Sequence, residues 1–456
     1  MHPPTSDQPT SSEDATAEEN YPSSGYAWYV VTVLTLAYVI SFIDRQILAL
    51  LVGPIKADLN LTDTQISLLM GLAFGVFYTL MGIPLGRLAD RKSRRLIIAA
   101  GITVWSFMTA ACGLAKGYGQ LFLARVGVGV GEASLSPSAL SLISDYFPEH
   151  KRGRAIGFYQ SGISIGAGIA MILGGAVIGF ATAGGETVLP LIGSVKPWQL
   201  VFMLVGLPGL GVALLLFTVR EPKRRGLLKT GTEDQALPLR FVVRYLWDRK
   251  RAFGQLFVGM SVVTIVGYAY FSWVPTMFIR TFGWTIGEVG LAYGILLLIT
   301  GPLGVNGAGW LADYLFQKGH SDAHLKTVLI GVLITLLSAP LMPLMPTATS
   351  ALIMLVPASI GPAMSTATGA SALMMITPNQ MRGQTSAVYL FVISILGLTV
   401  GPTAVALITD YVYADEGALR YSIAWVSGIG AAFSSVVLLA NLKPYRQAIA
   451  ESRKWA

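Results

Sequence analysis

Apolar segments of about 20 residues, long enough to cross a lipid bilayer as a helix, recur along the chain from Trp28 onward. The fourth and the tenth segments are long and are interrupted by proline. The pattern predicts an all-α membrane protein with twelve transmembrane helices, at residues 28–52, 66–88, 95–115, 119–146, 155–180, 199–219, 254–279, 288–312, 326–345, 349–376, 384–411 and 419–441.

The composition agrees with an integral, multi-pass membrane protein. Hydrophobic residues make up 53% of the 456 residues and charged residues only 12%, whereas soluble domains carry about 25% charged residues. A soluble enzyme with a large core would not show this balance.

The distribution of lysine and arginine predicts the orientation, because these residues accumulate in cytoplasmic loops. With both termini in the cytoplasm, 25 of the 32 Lys and Arg residues fall in cytoplasmic segments and five in exterior loops. The net charge of +8 therefore follows the cytoplasmic membrane surface, and no nucleic-acid partner is expected. In a bacterium this would be the inner membrane.

The loops divide the chain into two halves. Residues 1–27 are acidic, contain no Lys or Arg and predict a disordered tail. Six-helix bundles are expected at 28–219 and 252–442, joined by a cytoplasmic linker at 220–251 and followed by a cytoplasmic tail at 443–456. Within the linker, an amphipathic helix at about 237–247 on the inner membrane face and a solvated loop are equally compatible with the sequence.

The two halves also repeat each other. GRLAD at 86–90 follows the second span and GWLAD at 309–313 follows the eighth; PEHKRG at 148–153 and PNQMRG at 378–383 follow the fourth and tenth. Two matches in the same order at nearly the same offset indicate duplication of a six-helix unit. Such repeats are typical of transporters, whose substrate sites lie at the repeat interface near mid-membrane.

GRLADRKSRR at 86–95 resembles the loop signature of the major facilitator superfamily, and Arg125 with the following glycines resembles its fourth-helix signature. Within that superfamily, SFIDRQ at 41–46, SPSALSLISDYFPEHKRGRAIG at 136–157 and PWQLVFMLVGLPG at 197–209 are similar to the Spinster-type branch. Eukaryotic members of that branch export sphingosine-1-phosphate or lysophospholipids. The resemblance implies two pseudo-symmetric bundles that rock around a central cavity to give alternating access.

The resemblance also implies a cytoplasmic gate, in which Asp90 lies near the start of a facing helix and Arg91 bonds across to the other half. The alternative is that these basic residues serve only to set the membrane topology. The residues assigned to this gate are those of the loop signature and its neighbours: Gly86, Asp90, Arg91, Arg94, Arg95, Arg152, Asp313 and Arg382.

Four ionisable residues lie well inside the predicted spans, all in the first half: Asp44, Arg45, Arg125 and Glu132. Charges in the membrane are expensive and are functional by default. We predict that Asp44 and Glu132 respond to protons and that Arg125 switches between them, with an Asp44–Arg125 salt bridge at similar depth. A static structural pair is the alternative. Protons are then the coupling ion, and no other cofactor is expected.

The Spinster resemblance implies that the substrate is a lysolipid or another amphiphilic anion. Arg125 would suit its phosphate or zwitterionic headgroup, because a guanidinium group binds phosphate bidentately. Arg45, Arg125 and Glu132 would form a charged wall. The second half offers an apolar and aromatic wall, although such residues often serve only in helix packing: Tyr268, Tyr270, Trp273, Ser365, Thr366, Met374 and Tyr389. A small organic anion or a drug is the alternative substrate.

The chain is not expected to be an enzyme, because no nucleophile–base pair or metal cluster is evident, and the lack of a Walker motif argues against ATP as the energy source. The four histidines lack metal-ligand spacing, so no metal site is predicted. A lipid-modifying enzyme or a transport-derived receptor is the hypothesis from another class. We expect a monomer whose partners are its substrate and the membrane lipids.

Overall fold

The computed structural model describes residues 21–185, 187–190, 193–224 and 239–452. Within these ranges the chain forms twelve helices long and apolar enough to cross a membrane. We label them α1 (Ser24–Leu50), α2 (Asp63–Ala89), α3 (Arg94–Cys112), α4 (Tyr118–Tyr146), α5 (Lys151–Ala183), α6 (Pro197–Thr218), α7 (Lys250–Phe282), α8 (Ile286–Gln317), α9 (Ala323–Leu344), α10 (Ala348–Met375), α11 (Arg382–Tyr413) and α12 (Glu416–Ser452). Each predicted span overlaps one of these helices, which confirms the all-α, twelve-helix fold.

Several boundaries differ from the prediction. Helix α1 begins at Ser24, inside the predicted tail of residues 1–27, of which residues 1–20 lie outside the described residues. Helix α12 continues to Ser452, so most of the predicted C-terminal tail is helical. Tyr445 in that extension is buried, and its hydroxyl donates to the carbonyl of Ala372 at 2.8 Å, which explains why the helix does not end at the membrane surface.

The connections contain a little further structure. A short helix, Val52–Leu59, follows α1, and a two-stranded antiparallel hairpin of β1 (Thr187–Leu189) and β2 (Gly193–Val195) joins α5 to α6. In the linker, residues 225–238 are outside the described residues, and the helix Leu239–Asp248 agrees with the amphipathic helix considered from the sequence. We call it the linker helix.

Helices α1–α6 and α7–α12 form two halves that meet along α5 with α8 and along α2 with α11. Close approach of α5 and α8 depends on glycines that face each other at intervals along both helices. A Cβ atom on Gly294 would lie 2.6 Å from the carbonyl oxygen of Gly168, and one on Gly175 would lie 3.3 Å from the Cα atom of Gly287. Small residues of this kind let membrane helices pack backbone to backbone.

Replacing Gly294 by valine should therefore force α5 and α8 apart. Overpacking of a tight interface costs about 1–3 kcal/mol, so we expect a lower unfolding midpoint in detergent and reduced transport. Gly307→Ala is the matched control on the same helix, because a Cβ atom there meets nothing within 4 Å. Equal stability of Gly294→Val and the wild type would contradict this account of the interface.

The α2–α3 and α4–α5 loops and the linker helix lie at one end of the bundle, which we call the basic end because the segments there are rich in Lys and Arg. The other end, which we call the opposite end, carries the helix Val52–Leu59 and the β-hairpin.

Candidate functional site

The predicted charged residues of α1 and α4 meet in the interior of the N-terminal half. The guanidinium Nη2 of Arg45 donates to Oε2 of Glu132 at 2.6 Å, and the two side chains are only 9% and 1% exposed. A buried ion pair is stable only while both partners are present, because either charge alone would be costly to bury. Glu132 and Arg45 therefore depend on each other.

The expected Asp44–Arg125 salt bridge is not formed. Arg125 Nη1 donates instead to the backbone carbonyl of Asp44 at 3.2 Å. Both carboxylate oxygens of Asp44 are buried without a hydrogen-bond partner of normal geometry, and so are Nε and Nη2 of Arg125. Adjacent residues of a helix point about 100° apart, and on α1 it is Arg45 that reaches the acidic group of α4.

Local sequence explains the position of Glu132. Helix α4 is broken immediately after it, between the segments Tyr118–Glu132 and Leu135–Tyr146. Its glycines also allow α2 to approach, since a Cβ atom on Gly129 would lie 2.6 Å from the carbonyl oxygen of Phe74. The glycine run is thus a packing feature, and it brings the Phe74 ring close to both arginines.

Aromatic rings surround the Arg45 guanidinium. Its central carbon lies 4.5 Å from the ring centroid of Phe74, 4.7 Å from that of Phe42 and 5.1 Å from that of Tyr78. The central carbon of the Arg125 guanidinium also lies near this ring, 5.6 Å from the Phe74 centroid. Cation–π contacts can compensate part of the cost of removing a guanidinium group from water, so the rings keep Arg45 in place without neutralising it.

A small pocket of water-molecule dimensions opens beside this cluster, between the two halves. Arg45 is its only charged lining residue, and four helices contribute to the wall. The lining residues are Arg45, Gln46 and Ala49 of α1, Met70 of α2, Tyr268, Phe271 and Ser272 of α7, and Leu398 and Pro402 of α11. The site therefore joins a cation from one half to a neutral, partly aromatic surface from the other.

Tyr268 is the predicted second-half residue that lines this pocket. Tyr270, Trp273 and Ser365 lie in the packed core instead, where their polar atoms donate to the backbone carbonyls of Ala339, Pro402 and, for Ser365, both Val328 and Gly361. In this conformation they are packing residues, because their hydrogen-bonding groups are already used.

The remaining predicted lining residues lie elsewhere in the second half. Thr366 is exposed and donates to the carbonyl of Pro362 in its own helix. The Met374 sulfur accepts from Ser386 at 3.7 Å. Tyr389 is buried against Phe257, with ring centroids 5.4 Å apart. None of these three is among the residues that line the described pocket.

A family comparison identifies the architecture around this site. The model of the Major Facilitator Superfamily matches residues 34–402 of the chain. The chain belongs to the major facilitator superfamily. It is therefore an integral membrane transporter and not an enzyme.

Individual members of the superfamily resemble the chain over most of its length. A crystal structure of a bacterial homolog to the human lysosomal transporter Spinster, inward-facing and occupied, is 30% identical with a TM-score of 0.76, covering 94% of this chain and 97% of that one. An MFS-type efflux pump of Mycolicibacterium smegmatis is 28% identical, covering 86% of each chain. The D-galactonate transporter of Escherichia coli O6:H1 is 27% identical, covering 91% of this chain and 96% of that one. The predicted relationship to the superfamily and to Spinster proteins is confirmed.

In this superfamily member, ion pairs join the two halves at the opposite end. Arg280 of α7 binds Asp63 of α2 bidentately, with Nη1–Oδ2 2.6 Å and Nη2–Oδ1 2.9 Å. Lys56 donates to Asp63 and, at 2.8 Å, to Glu416 of α12; Glu416 also lies 3.1 Å from Arg280. We call these four residues the end latch. Asp63 is fully buried within it.

A second contact supports the end latch. Asp410 of α11 accepts hydrogen bonds from both the backbone amide and the hydroxyl of Thr64, each 2.6 Å long. Thr64 lies in the first turn of α2, where free amides and the helix dipole favour an anion. Two separate acid contacts thus hold the halves together at the opposite end.

The predicted gate residues at the basic end do not make such contacts in this conformation. Asp90, Arg91, Asp313 and Arg382 are exposed, and Arg382 donates to Thr377 of its own half at 3.3 Å. In the part of the chain that the structure describes, Asp90 and Arg91 form no ion pair with the second half. Gly86 and Arg152 are half-buried in the first half.

Arg94 and Arg95 instead bind within the first half. Arg94 is buried and pairs with Asp145 at 2.5 Å and with Glu221 at 2.8 Å, while the Arg95 amide donates to Glu221 at 3.1 Å. Partial burial alone would raise the pKa of Glu221, but the bonds from Arg94, Arg95 and Ser93 outweigh it and hold that pKa below its ordinary value. These contacts tie α3 to α4 and to the segment after α6.

The end latch and the aromatic rings around Arg45 were not predicted from the sequence. Lys56 and Arg280 did stand out in the sequence, because they are two of the five basic residues in the loops predicted to be exterior. Their acidic partners are 7 and 217 residues away in sequence, so only the folded chain pairs them.

Proposed function

We propose that the chain is a proton-coupled secondary transporter that works by alternating access and carries a lysolipid or another amphiphilic anion. The observation that supports this most is the buried Arg45–Glu132 ion pair, whose arginine forms part of the pocket between the halves. The arginine of such a pair can exchange its carboxylate partner for an anionic group of the substrate.

An anionic group that enters the pocket would compete with Glu132 for Arg45. Once released, the Glu132 carboxylate would be buried without its cation, and a buried carboxyl group in that situation is more stable when protonated. Anion binding to Arg45 and proton binding to Glu132 would then favour each other. This scheme makes the anion and the proton travel together.

Asp44 would be a second proton site. Its carboxylate oxygens are buried without a hydrogen-bond partner of normal geometry, and so are two donor atoms of the neighbouring Arg125. A small movement of Arg125 could therefore stabilise the ionised form of Asp44, and its return to the backbone carbonyl would favour protonation. This keeps the predicted switching role of Arg125 and adds Arg45 to the mechanism.

The two walls of the pocket favour an amphiphile. Arg45 suits a phosphate or carboxylate group, whereas Tyr268, Phe271 and Leu398 suit an apolar portion. The resemblance to the Spinster-type branch, whose eukaryotic members export sphingosine-1-phosphate or lysophospholipids, supports the same choice. We place the basic end and both termini in the cytoplasm, in the inner membrane of a bacterium, and we propose a monomer, because one chain supplies both walls of the pocket.

A small organic acid is the second candidate substrate. It is favoured by the similarity to the D-galactonate transporter over 91% of this chain. A carboxylate would bind Arg45 as a phosphate does, so the charged wall does not distinguish the two. The partly aromatic wall favours the amphiphile.

Uptake by proteoliposomes under an imposed pH gradient tests the proposal, with lysolipids and sugar acids offered in parallel. We expect accumulation of a lysolipid that follows the proton gradient and stops when a protonophore collapses it. Accumulation of sugar acids alone would select the second candidate. Counterflow that ignores the pH gradient for every substrate would overturn proton coupling.

A further inference from the structure

We propose that the linker helix (Leu239–Asp248) is a docking surface for anionic lipid headgroups at the basic end of the bundle. This surface is separate from the pocket between the halves and does not depend on the transported substrate. The proposal rests on how the helix is held, on the side chains of its outer face and on the charge around it.

One face of the linker helix is fixed to the second half. Val242 is completely buried, and the Tyr245 ring packs edge-on against Phe253 of α7, with centroids 5.9 Å apart. The following residue, Arg249, pairs with Glu451 of α12 at 3.1 Å. Helix α7 begins at Lys250, so the linker helix lies where a spanning helix emerges from the membrane.

The outer face combines cations with an aromatic ring. Arg240, Arg244 and Trp247 are four and three residues apart, which places them on one side of the helix. All three are exposed, Trp247 by 68%, and the Lys250 ammonium lies 5.3 Å from the Trp247 ring. Phe241 and Val243 are also about half exposed.

This set of side chains suits a membrane surface. Exposed Phe and Trp side chains are stabilised at the level of the headgroups, where amphipathic helices bury their apolar groups. Arg240 and Arg244 of the helix, together with Lys250 and Arg251 in the first turn of α7, are exposed basic residues, and they outnumber Asp248, the one acidic residue of the helix. Clusters of four or more Lys and Arg residues on such a helix attract anionic lipids at about 1 kcal/mol each, which makes phosphatidylglycerol-type headgroups the fitting partner.

Fluorescence quenching by brominated lipids tests the proposal on the full chain in proteoliposomes. The vesicles contain phosphatidylcholine with a minor fraction of either brominated phosphatidylglycerol or brominated phosphatidylcholine. The emission of Trp247 is obtained by subtracting the signal of Trp247→Phe. We expect stronger quenching by the anionic lipid at low salt, and loss of that preference at high salt, because exposed charges are screened.

The double variant Arg240→Gln/Arg244→Gln, compared with its own Trp247→Phe version, should lower the preference for the anionic lipid roughly fivefold for each arginine removed. The matched control is Lys318→Gln/Lys443→Gln, which removes the same charge from exposed residues at the same end and should keep the preference. Equal quenching by both lipids, or no quenching of Trp247, would overturn the proposal. The thermal stability of each variant shows whether it folds. If the double variant does not fold, the quenching of Trp247 in the protein with Arg240 and Arg244 intact still decides the outcome.

Discussion

Glu132→Gln should abolish uptake driven by a pH gradient and leave substrate counterflow in place. Glutamine keeps the shape of the side chain and can still accept a hydrogen bond from Arg45, but it cannot bind and release a proton. Arg45 then loses its only ion-pair partner in the described structure, the Glu132 carboxylate 2.6 Å away. Energy coupling should therefore disappear while the route through the protein remains.

The measurement is the ratio of gradient-driven uptake to counterflow in the same proteoliposomes. Asp44→Asn should lower the same ratio, since Asp44 is the second proposed proton site. Glu451→Gln is the matched control, because it removes a glutamate from a glutamate–arginine pair at the surface, where Glu451 is 49% exposed. A normal ratio in both Glu132→Gln and Asp44→Asn would refute the assignment of these two carboxyl groups.

Arg280→Gln should open the opposite end of the transporter. The substitution removes both bonds to the buried Asp63 and the contact with Glu416, leaving Lys56 as the remaining cation of the end latch. Removing the whole partner of a buried charge costs about 3–5 kcal/mol. Because Lys56 still pairs with Asp63, Arg280→Gln should cost the closed state a part of that amount. Because about 1.4 kcal/mol changes an equilibrium constant tenfold, the population that is open at this end should rise by about tenfold or more.

Labelling of an introduced cysteine measures this change. Ser272→Cys lines the pocket between the halves, and the native Cys112 is fully buried and should react little. An impermeant maleimide added from the opposite end should label Ser272→Cys faster when Arg280→Gln is also present. Arg249→Gln is the control, because its pair with Glu451 lies within the second half at the basic end. An unchanged labelling rate would show that the end latch does not hold the halves closed.

Much of this architecture follows from the sequence. Segment length predicts the twelve helices, since each must cross the same thickness of hydrocarbon, and the paired GRLAD and GWLAD motifs predict two repeated halves. The cost of charge in a membrane likewise singles out Asp44, Arg45, Arg125 and Glu132, which the structure brings together in the interior of one half. These predictions succeed because they depend on local composition.

The partners of those charges are decided only by the tertiary structure. Whether α1 presents Asp44 or Arg45 to Glu132 depends on how α1 and α4 are rotated and on the helix break after Glu132, and neither is encoded by hydrophobic length. Tyr270 and Trp273 show the same dependence, because helix rotation turns them into the core while Tyr268 faces the pocket. Asp63 and Arg280, 217 residues apart, meet only because the two halves close against each other at one end. The sequence by itself thus determines which residues are costly to place in a membrane, and the packing of helices determines which of them compensate one another.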